Sequence, residues 1–246
     1  MGFRKTGPVS SAEMFAAEAE GLLELAKPGV IRVPEVIGHG IEGDTAFIEI
    51  EHLDLQRATR DVEYRMGEQL AALHDTTADR YGWHRDNTIG PTPQYNAWSD
   101  DWAGFFREHR LGFQFELAAR NGYALQDSGE HLLDRLDRFF EGYTPAASLL
   151  HGDLWGGNWG SCDGEPVIFD PAVYYGDRES DLAMTRLFGG FGRAFYEAYE
   201  ANAPLAPGHR ARCDLYQLYH VLNHLNLFGS GYLGQAQSLI QRLLKA

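Results

Sequence analysis

The sequence predicts an α+β protein, β-bearing over about residues 1–55 and mainly helical over residues 56–246. Three observations predict it. Two β-rich runs, residues 33–40 and 45–51, flank Glu42-Gly43-Asp44 and read as a hairpin. From Thr59 onward the apolar residues recur mostly at helical spacing. Among those helical stretches lies one glycine-rich segment, residues 151–158, followed by a short apolar run at 167–169 that ends in Asp170. Such a run is a buried strand that delivers a carboxylate at its tip.

In chain order, Ser10 or Ser11 with Glu13 behind it suits the start of a helix running to about Ala26. Met14, Phe15, Ala19, Leu22 and Leu23 form its apolar face. A second helix is expected over 59–74, with Val62, Met66, Leu70 and Leu73 inward and His74 as a C-terminal cap. Residues 75–98 are rich in Gly, Pro, Asn and Thr, and a loop of that length in a compact domain usually has a functional role or its own packing. An aromatic-rich helix follows over 98–120, carrying Trp98, Trp102, Phe105, Phe106 and Phe113, and another over 130–141. A small hairpin is expected around Asp163-Gly164. The remainder is helical, with breaks at 189–190, 204–208 and 229–231. His220 and His224 lie four apart, but Val-Leu-Asn between them is not a zinc-protease pattern, so they read as core or surface histidines.

The chemistry-bearing stretch is His151-Gly152-Asp153-Leu154-Trp155-Gly156-Gly157-Asn158, an H-x-D-x-x-x-x-N pattern. This is the spacing of a phosphotransferase catalytic loop, in which the Asp takes a hydroxyl proton and the Asn holds a metal. Asp153, Asn158 and Asp170 together make an oxygen set suited to Mg²⁺, which favours carboxylate, amide and phosphate oxygens. Read alone, the same loop is an ordinary glycine-rich turn; the strand and Asp170 that follow favour the phosphotransferase.

The run HGDLWGGN, with VIFDPAVYYGDRESDLAMTRLFGGF at residues 167–191, resembles the fructosamine (ketosamine) kinase family within the aminoglycoside-phosphotransferase-like kinases. The likeness extends through residues 14–22, 101–106 and 218–224. It implies a protein-kinase-like fold of two unequal lobes and transfer of phosphate from ATP, with Mg²⁺, to the third carbon's hydroxyl of a ketosamine, which destabilises the adduct and frees the amine. By resemblance, Asp153 is the base, and Asn158 and Asp170 hold the metal. Lys5 contacts the donor phosphates and Glu18 positions it; without the resemblance these two are a terminal charge and a solvated helix face. Glu51, His52 and Leu53 fall at the link where backbone groups meet the adenine edge. Trp155 is placed against the sugar, and Tyr175 and Asp177 beside the acceptor, although Asp177 reads equally as an N-cap. Asp181 is expected to hydrogen-bond the catalytic-loop backbone. Residues 85–90 and 94–96 resemble family sequence near the acceptor.

The family carries two further strands and a phosphate-covering loop ahead of the Lys strand, whereas this chain starts almost at Lys5, so the small lobe is expected to be incomplete. That leaves a second reading, a catalytically impaired kinase-like binding protein. A third keeps the transferase and changes the acceptor to an aminoglycoside or another small amino-alcohol.

Bulk properties narrow the classes. A net charge of −14 argues against nucleic acid or an anionic membrane as partner. Cys162 and Cys213 are too few for a disulfide framework or a Cys-rich zinc site. With 44% hydrophobic residues the chain can build a core, and it shows neither a membrane span nor a signal-peptide pattern. A cytoplasmic protein is the expectation.

Overall fold

A computed structural model describes residues 2–246. Strand β1 (Gly2–Pro8) leads through a 3₁₀ turn (Val9–Ser11) into helix α1 (Ala12–Ala26). The expected serine cap is not made: Ser11 is already in helical conformation, because the turn feeds straight into the helix. Strands β2 (Val36–Glu42) and β3 (Thr45–Glu51) form the predicted hairpin, turning at Gly43 with φ of 59°. The first of them begins later than residue 33, after Pro34, which has no N–H for a ladder. The sheet order is β1-β3-β2, all antiparallel, with Lys5 opposite Ile48. Phe15, Ala19 and Leu22 of α1 pack on Ala46, Ile48 and Ile50 as a small separate core, while Leu23 faces out.

Helix α2 (Arg60–His74) is capped by the Thr59 hydroxyl, which accepts from the Val62 N–H at 3.3 Å. His74 does not cap its end. The imidazole is buried and meets the Tyr199 hydroxyl and the Asp181 carboxylate. The long segment that follows is ordered by short pairings: β4 (Thr77–Ala78), and β5 (Asn87–Ile89) against β6 (Thr92–Gln94). Helix α3 (Trp102–Phe106) starts at the Asp101 cap, whose carboxylate accepts from the Ala103 and Gly104 N–H groups, so Trp98 lies outside the helix. A π-turn (Arg107–Gly112) joins α3 to α4 (Phe113–Arg120). The helix expected over 130–141 is divided into α5 (Gln126–Leu133) and a 3₁₀ turn (Leu136–Phe140).

Strand β7 (Ala147–Leu150) enters the glycine-rich loop, and β8 (Trp159–Cys162) with β9 (Glu165–Ile168) form the second predicted hairpin. Strand β10 (Tyr174–Gly176) pairs back onto β7. Helices α6 (Glu179–Leu187), α7 (Arg193–Asn202), α8 (His209–Phe228) and α9 (Leu233–Lys245) follow, separated at the three expected breaks. One continuous core runs from Met66 and Leu70 through Phe105, Phe106, Leu149 and Tyr174 to Leu218 and Leu222. Inside it the Arg212 guanidinium forms a two-pronged pair with Glu179 at 2.8 and 2.9 Å. Among the described residues, no helix is long and apolar enough to cross a membrane.

Helices α2 and α7 touch at Gly67, where an added Cβ would lie 2.3 Å from the Phe195 carbonyl oxygen and 2.9 Å from the Ala198 methyl. Gly67→Ala should therefore destabilise the protein by about 1–3 kcal/mol despite alanine's better helix propensity, measured by chemical denaturation. An unchanged or raised midpoint would show that the two helices separate freely.

Candidate active site

The loop after β7 is fixed by its backbone. Asp181, fully buried on α6, accepts from the His151 N–H at 2.8 Å and from the Gly152 N–H at 2.9 Å, as expected from the sequence. Burial alone would raise the Asp181 carboxyl, but His74, His151 and the Gly152 N–H hold it below the ordinary carboxylate range. The loop is also stitched to the segment after β9: Ala172 N–H donates to the His151 carbonyl, and Phe169 N–H to the Asn158 carbonyl. Gly152 is obligatory here. Its φ is 81°, and a Cβ would lie 2.0 Å from the Ala172 carbonyl oxygen. The His151 ring is buried and kept neutral by desolvation; it accepts from the Asp153 N–H, so its Nε2–H donates to the Phe169 carbonyl at 2.9 Å.

This stitching brings Asp153, Asn158 and Asp170 to one cleft. The Asn158 amide nitrogen donates to the Asp153 backbone carbonyl at 2.9 Å and to the Asp153 carboxylate and Asp170 carbonyl, both at 3.3 Å. Its nitrogen thus engaged, the amide presents its oxygen as the free ligand. Lys5 reaches across from β1, with Nζ 2.7 Å from Glu18 and 2.5 Å from Asp170. Burial would lower the Lys5 ammonium, yet the two carboxylates more than offset it and hold the pKa above the ordinary lysine value. Burial also pushes Glu18 upward against the pull of Lys5. Desolvation raises the Asp153 carboxyl to about 7; the Asn158 hydrogen bond opposes this and the Asp181 and Asp170 charges add to it.

Two cavities meet at Lys5 and Asp170. One, about 300 Å³, runs between Phe3, Ile50, Leu55 and Phe169 and is closed by Glu51, His52 and Leu53. The other, about 420 Å³, holds Asp153, Asn158 and Glu18 and is bounded by Asn87, Thr88, Gly90 and Pro91. Both volumes suit small-molecule ligands. Among the described residues, no three His, Cys, Asp or Glu side chains are placed to hold a metal. The Asp170 carboxylate and the Asn158 amide oxygen fit Mg²⁺, which is normally held by one or two carboxylates plus phosphate.

A profile of the fructosamine kinase family matches residues 2–246. The chain belongs to the fructosamine kinase family. Within that family it is 47% identical over 245 residues, 99% of this chain and 83% of the relative, to a Synechocystis protein provisionally named ketoamine kinase. A crystal structure from Haemophilus somnus 129PT, provisionally named fructosamine-3-kinase, superposes with a TM-score of 0.92 at 33% identity, covering 99% of this chain and 83% of that one. An aminoglycoside phosphotransferase holding ADP and hygromycin B superposes at 0.64 with 15% identity, covering 99% of this chain and 86% of that one, which shows a shared kinase-like fold alone.

Other expected site residues of this fructosamine kinase family member lie apart from the cleft. Asp177 is fully buried and accepts from the Tyr216 hydroxyl at 2.6 Å, the Tyr143 hydroxyl at 3.0 Å and the Glu179 N–H at 3.0 Å. Its carboxylate is turned to these groups, ahead of the Arg178 N-cap of α6, and away from the cleft. The Tyr175 hydroxyl donates to Glu24 of α1 at 2.8 Å instead of facing either cavity. The Glu51 carboxylate is engaged by Arg32 at 2.8 Å, so Glu51 lines the first cavity without a free carboxylate. Trp155 is 41% exposed on the outer side of the loop, its ring against Gly157. The sequence reading missed the apolar wall Phe3 and the buried His74 that supports Asp181, which look like a terminal and a helix-end residue; it had Phe169 in a buried strand but not as a cavity wall.

The raised Asp153 carboxyl has a consequence for stability. The folded chain keeps this proton up to about pH 7, whereas an unfolded aspartate loses it near 4, so rising pH across that window destabilises the fold. Asp153→Asn should raise Tm relative to the parent at pH 8, and the gain should shrink toward pH 5. A gain of equal size at both values would mean that Asp153 is not titrating in this way.

Proposed function

We propose that this chain is an ATP-dependent kinase of ketosamines, transferring the γ-phosphoryl group to the hydroxyl on the sugar's third carbon. The observation that carries this is the convergence of Asp153, Asn158, Asp170 and Lys5 on one cleft between two cavities. Family membership supports ATP as the phosphoryl donor. In this reading residues 1–55 form the nucleotide-side lobe and residues 56–246 the catalytic lobe. The first cavity takes the nucleotide, its base between Phe3, Ile50 and Leu55 with the backbone of residues 51–53 at its edge. The second takes the sugar.

Asp170 and Asn158 would hold Mg²⁺, which supplies neutralisation of the phosphate charge. Lys5, held charged by Glu18, binds phosphate oxygens. Asp153 accepts a hydrogen bond from the acceptor hydroxyl and orients its oxygen toward the γ-phosphorus. As the new P–O bond forms and the bond to the β-phosphate bridging oxygen breaks, the hydroxyl proton passes to Asp153 and ADP leaves. A carboxylate that titrates near 7 is a better proton acceptor than an ordinary aspartate and remains ionised just above neutrality.

The test is a coupled assay with ATP and a fructose-derived ketosamine of a simple amine. Asp153→Asn should lower turnover by about 10²–10⁴-fold while nucleotide binding, followed by thermal shift, stays near the parent value. In the parent, kcat/KM should fall as pH drops through about 7, because protonation removes the base. Near-normal turnover in Asp153→Asn would exclude Asp153 as the base, and a lack of ketosamine turnover in the parent would exclude the acceptor class.

A further inference from the structure

Helix α1 does two things at once. Glu18 points to the cleft and holds Lys5. On another face of the same helix Glu13, Glu20 and Glu24 lie in a stripe, spaced seven and four residues apart, within an arc of about 40° at 100° per residue, with Glu18 roughly 140° away. Each of the three meets the helical body. Arg85, in the segment before β5, reaches Glu20 at 2.6 Å and Glu13 at 2.8 Å with separate guanidinium nitrogens. His84 meets the other Glu20 oxygen at 3.0 Å, and the Tyr175 hydroxyl meets Glu24 at 2.8 Å. Partial burial works against it, but the His84 and Arg85 hydrogen bonds hold the Glu20 carboxyl below its ordinary range. Between the stripe and Glu18, Gly21 lets the helix backbone approach Val173 and Pro171, the residues just after Asp170; a Cβ would come within 3.3 and 3.4 Å of them.

We infer that Arg85 is a positioning residue of the phosphotransfer site: by clamping Glu13 and Glu20 it fixes α1 against the helical body and so keeps Glu18 behind Lys5 at Asp170. This rests on the kinase reading above. Lys5 and Asp170 come from opposite sides of the cleft, β1 and the segment after β9, and their separation depends on how α1 sits on the segment after Asp170. Arg85 grips the helix one turn on either side of residue 17, at the same level along the axis as Glu18 but on another face. The Glu13 side chain is 90% exposed and that of Glu20 38%, so the clamp adds little to global stability. Its effect is therefore on alignment, where displacement of a reacting group by about 1 Å can cost 10²-fold in rate.

The experiment compares the parent with Arg85→Ala, and with the charge swap Arg85→Glu combined with Glu20→Arg. Arg85→Ala should lower kcat/KM for ATP by about 10- to 100-fold, leave the ketosamine KM within about twofold, and move Tm by less than about 3 °C. Amides of α1 should exchange hydrogen faster. The swap should recover part of the loss, through the restored pair at positions 85 and 20, while the contact to Glu13 becomes repulsive. In a Glu18→Gln background, Arg85→Ala should cost little more, because both act through Lys5. A rise confined to the ketosamine KM would make Arg85 an acceptor contact and overturn the proposal. So would parent-like kinetics, or a loss in Arg85→Ala that is undiminished in the Glu18→Gln background. Ketosamine turnover by the parent is measured first; its absence counts against the kinase reading, and the exchange of α1 amides then still decides whether Arg85 holds the helix.

Discussion

The site depends on one buried carboxylate. Asp181 spends both oxygens on consecutive backbone N–H groups of the loop, at His151 and Gly152. An ionised carboxylate without water is costly unless hydrogen-bonded and paired. Here the N–H groups and the His74 ring meet that need, and His74 is itself oriented by the Tyr199 hydroxyl at 2.8 Å, to which Arg178 also donates. The loop therefore has one arrangement compatible with a satisfied core. That arrangement points Asp153 into the cleft and leaves the Asn158 amide oxygen free.

The same economy shapes the electrostatics. Asp153 lines the cleft, where partial desolvation raises its proton affinity and the charges of Asp181 and Asp170 add to it. Lys5 lies on the opposite wall between two carboxylates and keeps its charge. A carboxyl group of raised proton affinity and a cation thereby share one cleft without pairing with each other, because Asp170 and Glu18 engage the lysine's charge and Asn158 hydrogen-bonds Asp153. The cleft carries more negative than positive side chains.

Much of this was legible in the sequence, and unevenly so. The loop and its strand were readable because glycine spacing, an apolar run and a terminal carboxylate are local signals. The α1 and β2–β3 elements, the hairpin at Asp163-Gly164 and the helix breaks near 189, 204 and 229 were readable for the same reason. Asp181 was expected to serve the loop, and does. What failed was the direction of side chains fixed by distant partners. Asp177 lies three residues from Tyr174 in sequence, yet Tyr143 and Tyr216 draw it inward. Tyr175 is claimed by Glu24, 151 residues earlier. His74 looks like a helix-end charge until α6 and α7 cover it. Trp98 fits the helical aromatic spacing, but the Asp101 cap starts the helix after it. No periodicity encodes such contacts, since each partner belongs to another element.

Asp170 also occupies the left-handed region, with φ of 56°. Most residues other than glycine resist that conformation, while Asp and Asn tolerate it because their short polar side chains bond locally. The identity of residue 170 thus matters twice, once for the carboxylate beside Lys5 and once as a backbone conformer. An alanine there removes the carboxylate and also penalises the turn, so its phenotype would overstate the carboxylate's own worth. Asparagine keeps the turn and changes only the charge, and it is the substitution that separates geometry from chemistry at this position.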